Sequence, residues 1–165
     1  MKSVIVAMLA LIMSVSAGWA DKVTRGPVTD LPLPRFVSVR AAKANVRRGP
    51  SLTHRIDWVY QRKGLPVLIT AEHGHWRRVV DRDGLGGWVH YVLLSGKRTA
   101  QVESEAASMR VQPDADARKV AILEQGVVAQ IDECTRVWCW LEKNGYEGWV
   151  AKDRLWGVRP GEIVE

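Results

Sequence analysis

Asn45-Val46-Arg47-Arg48-Gly49-Pro50, followed by Trp76 and then by Gly84-Leu85-Gly86-Gly87-Trp88-Val89, is a pattern that the chain carries twice. The second copy runs Ser108-Met109-Arg110-Val111-Gln112-Pro113, then Trp138, then Gly145-Tyr146-Glu147-Gly148-Trp149-Val150. Gly64, Ile69 and Trp76 recur 62 positions on as Gly126, Ile131 and Trp138. Gly84, Gly87 and Trp88 recur 61 positions on, so one residue is lost at the second turn. A fixed period of this size marks a duplicated structural unit. Two small modules result, and a module of about 60 residues is too small to enclose an elaborate active site.

Between these landmarks the chain alternates. Phe36-Val37-Ser38-Val39-Arg40 places apolar and polar residues in turn, as a half-buried strand does. Val46-Arg47-Arg48 stops at Gly49-Pro50-Ser51, the run ending at Tyr60 stops at Lys63-Gly64, and Leu65 to Thr70 stops before His73-Gly74-His75. Trp76 to Val80 and Gly87-Trp88-Val89 flank the turn Asp81-Arg82-Asp83-Gly84. The second half repeats this order with Val120 to Leu123, Val127 to Ile131 and Trp138 to Glu142. Its Asn144-Gly145 is the strongest short hairpin signal. Strands this short at this spacing predict an all-β chain of two tandem small barrels. The expected boundaries are a leader at 1–20, an extended lead-in at 21–34, a first module at 35–98, a linker at 99–107, a second module at 108–158 and a tail at 159–165.

Lys2 precedes an apolar stretch from Val4 to Val15, and Gly18-Trp19-Ala20 supplies small residues for a cut before Asp21. That is the layout of a secretory signal peptide. Its apolar run falls short of the ~20 residues that cross a bilayer. The expectation is a periplasmic or secreted chain, cut after Ala20 and with no membrane insertion after cleavage. Cys134 and Cys139 then lie in an oxidising compartment, where a close pair beside a hairpin turn reads as a disulfide. Two unlinked thiols packed as small apolar groups are the alternative. Charge divides the modules: residues 40–98 carry 12 Lys and Arg against 4 Asp and Glu, whereas 99–165 carry 8 against 12. A basic first module and an acidic second one fit division of labour or mutual docking; ordinary solvated surfaces are the alternative.

Asn-Val-Arg-Arg-Gly-Pro-Ser at 45–51, Gly-Leu-Pro-Val at 64–67, Trp-Arg-Arg-Val at 76–79 and Gly-Trp-Val at 87–89 resemble the bacterial SH3-like (SH3b) domain. The second copy, with Cys134, Cys139-Trp140 and Gly145-Tyr146-Glu147-Gly148-Trp149-Val150, is similar to the same family, and the resemblance covers residues 35–158. It implies small, strongly bent barrels. It also implies binding of peptides or cell-wall material rather than catalysis. Recognition of proline-rich peptides is not implied, because Gly87-Trp88-Val89-His90-Tyr91 lacks the accompanying Pro. The second copy also lacks the Gly-Pro turn of the first, so its first loop is expected to differ.

Eight Trp make aromatic binding surfaces the first candidates. Trp76 and Trp138 follow loops and match the ligand-side Trp that the resemblance implies, with core filling as the alternative. Trp58 and Tyr60 are candidates for the same groove. Trp88 and Trp149 are expected in the cores, since a small barrel fills its interior with large aromatics. Arg47, Arg48, Arg77 and Arg78, with Arg62 and Lys63, are candidates for a face toward anionic groups. The partners expected are a cell-wall peptide or an anionic envelope component. A structural or regulatory role toward another envelope protein, through the acidic module, or an accessory role beside a cell-wall hydrolase, is the alternative. Export argues against nucleic acid.

An enzyme is not expected. Cell-wall hydrolases that carry such modules use a Cys followed by a later His, but His90 is the last His and precedes both cysteines. There is no Gly-x-Ser-x-Gly elbow, and Asp81 and Asp83 are turn residues. His73 and His75 lack a third ligand for a metal. Neither cofactor nor metal is expected.

Overall fold

The computed structural model describes residues 24–165; the leader expected over 1–20 and its cut after Ala20 lie outside them. Thr24–Arg25 (β1) and Pro32–Leu33 (β2) pair as a short antiparallel hairpin within the lead-in. The first module follows as β3 (Arg35–Val39), β4 (Ala44–Arg47), β5 (Ile56–Tyr60), β6 (Pro66–His73), β7 (Trp76–Val80), β8 (Gly86–His90) and β9 (Leu94–Ser95). The second is β10 (Thr99–Val102), β11 (Ala106–Arg110), β12 (Lys119–Glu124), β13 (Val128–Cys134), β14 (Trp138–Lys143), β15 (Tyr146–Ala151) and β16 (Leu155–Trp156). Each module is one curled antiparallel sheet, ordered β5-β4-β8-β7-β6-β3-β9 in the first and β12-β11-β15-β14-β13-β10-β16 in the second. Strand for strand the orders coincide, so the repeated sequence is a repeated fold.

Alternation fills each core. Val39, Val46, Val67, Ile69, Val79 and Val89 meet inside the first sheet. Met109, Ile131, Leu141 and Val150 meet inside the second, together with Cys134 and Cys139, which are bonded to each other. Bulges at equivalent places, Ile69/Ala71 and Ile131/Glu133, bend the long strands. The Gly-Trp-Val of each copy closes the curl. A Cβ on Gly87 would lie 2.8 Å from the Arg47 carbonyl oxygen, and one on Gly148 2.7 Å from that of Arg110. Only glycine lets these strands approach so closely. Val89 and Val150 then point inward with no exposure. Strand alternation therefore turns Trp88 and Trp149 outward; they lie half-buried on the outer faces, not in the cores as expected.

Two boundaries differ from expectation. Residues 99–107 are not a linker: Thr99–Val102 is β10, with Ala100 and Val102 buried in the second core. Small residues over so short a span read as a connector, yet the sheet closes on them. Nor are residues 159–165 a loose tail. Val164 exchanges backbone hydrogen bonds with Cys134, and Glu162 meets Arg98 at 2.7 Å.

Glu72 ties the N-terminal hairpin to the first barrel, and its side chain has no exposure. Its carboxylate accepts from the Val28 and Thr29 N–H groups at 3.1 and 3.0 Å, from Thr29 Oγ1 at 2.7 Å and from Arg35 at 2.6 Å. Arg77 Nε stands 3.5 Å away. Burial pushes the carboxyl pKa up, but the donors from Thr29, Arg35 and Val28 outweigh it and hold it at about 2.

The modules pack on each other. Thr99 Oγ1 donates to the Gly64 carbonyl and Arg62 to the Gly126 carbonyl, each at 2.7 Å. These two glycines are the equivalent turn residues of the two copies. Trp156 Nε1 donates to the Pro66 carbonyl at 3.3 Å, and its ring meets Phe36 edge-on at 5.1 Å.

Two outcomes follow from these contacts. Glu72→Gln leaves Arg35 and Arg77 facing a neutral group, and loss of one partner of a buried pair costs about 3 kcal/mol. A folded pKa of about 2 against an ordinary 4.5 means that the wild-type contribution is present above pH 4.5 and fades as pH falls toward 2. Urea midpoints measured against pH should show this acid decline in the wild type and a flatter curve in Glu72→Gln. Trp156→Ala removes the wedge between the modules, at a cost of about 3 kcal/mol. Scanning calorimetry should then resolve two transitions where the wild type shows one.

Candidate functional site

A groove of about 1070 Å³ opens where the modules meet. The first module contributes Pro34, Phe36 and Leu68; the second contributes Trp138, Leu155, Trp156 and Val158. The segment Arg159-Pro160-Gly161 closes one side. Arg136, Lys152 and Arg159 bring positive charge to this apolar surface, against Glu103 and Asp153.

Local structure sets each wall. Thr135 N–H donates to the Trp138 carbonyl at 2.8 Å, and Trp138 N–H donates to Thr135 Oγ1 at 3.1 Å. This tight turn, closed below by the disulfide, fixes the Trp138 indole at the groove. Lys152 lies in a short 3-10 turn, its backbone N–H held by the Val137 carbonyl at 2.9 Å. Burial pushes the Lys152 ammonium below the ordinary lysine pKa, partly offset by the Glu162 carboxylate. Its Nζ donates to the Glu162 carbonyl. Burial raises the Glu162 carboxyl, but its bond from Arg98 and the Arg159 N–H, 2.9 Å away, bring it below the usual range. The tail and the groove cation thus belong to one network. Apolar walls with a few fixed polar groups are the usual make-up of a ligand site.

Among the residues that the sequence nominates, Trp138 alone lines this groove. Trp76 is only 8% exposed, covered by His90 with ring centroids 5.3 Å apart. Arg77 is buried beside it and donates to the Gly74 and Trp76 carbonyls at 2.8 and 2.9 Å. Arg47 donates to the Leu52 and His54 carbonyls at 3.0 and 2.7 Å and fastens the loop between β4 and β5. Arg48 faces Asp57 at 3.4 Å. Tyr60 donates its phenol hydrogen to Asp81 at 3.2 Å, and burial followed by the Asp81 charge raises its pKa. Trp58 stands edge-on to Tyr60 at 6.4 Å. Irregular loops leave backbone carbonyls without strand partners, and arginines supply the missing donors. Arg78 is exposed and has no ion pair among the described residues.

Phe36 and Trp156 were not among the nominated residues, yet both line the groove. A usable signal existed in the repeat. The sheet registers pair Trp156 with Gln101 and Ser95 with Ser38, so Trp156 stands where the first copy has Ser95. By the same registers Phe36 stands where the second copy has Thr99. A residue that breaks the repeat cannot serve a core common to both copies; here it serves their junction.

Among the described residues no group of three or more His, Cys, Asp or Glu is placed to hold a metal ion. His90 stacks on Tyr91 at 5.1 Å, and His75 lies tilted against both rings. Among the described residues no helix is long and apolar enough to cross a membrane.

No curated protein matches the chain. Among solved structures, NlpC2 and NlpC1 from Trichomonas vaginalis align at 12% and 14% identity, each with a TM-score of 0.35. These alignments cover 74% and 90% of this chain but 48% and 50% of the other, so the chain spans about half the length of those proteins. The structure of Ly7917 aligns at 16% identity and a TM-score of 0.24, over 78% of this chain and 66% of its own. The family described as Bacterial SH3 domain matches twice, at residues 40–96 and 103–157, once over each curled sheet, and the chain belongs to that family as a tandem pair.

Proposed function

We propose that this chain is an exported, non-catalytic binding protein of the cell envelope whose paired modules hold a cell-wall peptide in the groove between them. Bacterial SH3 domains are cell-wall binding modules and typically occur in extracellular proteins. The observation that carries the reading is the groove itself. Its floor of Phe36, Leu68, Trp138, Leu155 and Trp156 suits small apolar side chains, and Arg136, Lys152 and Arg159 suit carboxylates. A wall peptide offers both along one extended strand. Trp and Arg, both present here, are among the residues enriched where binding energy concentrates.

Catalysis is outside this reading. Both cysteines are bonded to each other, and His75 and His90 pack against Tyr91.

The test uses the chain from Asp21 onward and insoluble peptidoglycan. Trp138→Ala should lower retention about tenfold or more, each decade being about 1.4 kcal/mol. Tyr146→Ala, exposed and outside the groove, should bind as the wild type does. Undiminished retention by Trp138→Ala would sink the groove assignment. Release of soluble wall fragments by the wild type would sink the non-catalytic assignment.

A further inference from the structure

At one end, equivalent rows of the two sheets differ: Ala71 and Arg78 of the first stand where the second has Glu133 and Trp140. In the first module, cross-strand partners run Ala71, Arg78, Trp88, Arg47 and Ile56. The same row in the second module runs Glu133, Trp140, Trp149, Arg110 and Lys119. Residues paired across strands lie on one side of a sheet. Their chain neighbours Val79, Val89, Cys139, Leu141 and Val150 are buried, so both rows face outward.

In the second module Trp140 and Trp149 meet edge to face, with centroids 5.5 Å apart and planes at 75°. Together with Asp132, Glu133 and Glu147 they line a cleft of about 400 Å³. None of these three carboxylates has an ion-pair partner among the described residues. In the first module the position of Trp140 is taken by Arg78, an exposed guanidinium beside Trp88. A guanidinium is the group such a cleft suits: its plane stacks on an indole while its N–H groups reach carboxylates.

We propose that the chain associates head to tail with further copies of itself, Arg78 of one copy seating against the Trp140–Trp149 pair of the next and beside its carboxylates. Charge complementarity identifies the occupant. The 12 Lys and Arg against 4 Asp and Glu of residues 40–98 meet the 8 against 12 of residues 99–165. The modules of one chain pack through Phe36, Gly64, Pro66, Gly126 and Trp156 instead, which leaves both rows open. Two different patches that fit each other make a heterologous contact, which propagates as a filament or closes as a ring.

Two complementary variants test this. Arg78→Glu keeps the cleft, and Glu133→Arg with Glu147→Arg keeps Arg78; all three positions are exposed, and circular dichroism checks that each variant folds. In sedimentation velocity at low salt, the wild type should gain mass with concentration and each variant alone should stay monomeric. An equimolar mixture of the two should regain assembly, because Arg78 of one then meets the unaltered cleft of the other and the carboxylate introduced at position 78 meets the reversed cleft. Glu133→Gln with Glu147→Gln should weaken wild-type assembly in the same direction, and a tenfold rise in ionic strength should shift it to about tenfold higher concentration. A wild type that stays monomeric at ~1 mM, where even weak contacts populate, overturns the proposal. So does assembly of either variant alone, or a mixture that stays monomeric.

Discussion

The edge-to-face contact of Phe36 and Trp156 turns two barrels into one body. Around it, the carbonyls of Gly64 and Gly126 each accept a hydrogen bond from the opposite module. Without that junction there is no groove, because Pro34, Phe36 and Leu68 would part from Trp138, Leu155 and Trp156. The junction also serves stability. A domain of about 60 residues buries a small share of its surface and is marginal alone, so two that share a face each gain from the other. The groove and the stability of the pair therefore depend on the same few residues.

The arginines of the first module show how tertiary structure redirects a sequence pattern. Read along the chain, Arg47, Arg48, Arg77 and Arg78 form a basic surface. In three dimensions they divide by what lies beside them. Arg47 and Arg77 satisfy carbonyls that bent strands and loops leave without partners, and Arg77 and Arg35 flank the buried carboxylate of Glu72. What reaches solvent is a smaller and more specific surface than the count of charges suggests.

Much of the fold was legible because its signals are local. The alternation within strands, the Asn144-Gly145 turn with φ of 53° and 82°, and the Cys134–Cys139 pair each depend on residues close in the chain, and the repeat shows the alternation twice. Trp88 and Trp149 misled, since size argued for the core while position after glycine and before an inward valine argued for the outer face. Trp76 misled in the other direction, because the covering His90 comes from the neighbouring strand β8. The groove was hardly legible, being a product of how two units meet. Its one trace was the loss of repeat symmetry at Phe36 and Trp156.

The backbone pairing of Val164 with Cys134 has a practical side. Arg159, Pro160 and Gly161 form a wall of the groove, and at Val164 the same segment is anchored to the second sheet. Reductant in a purification buffer would loosen the same edge, since the sulfur bridge and the tail share one anchor residue.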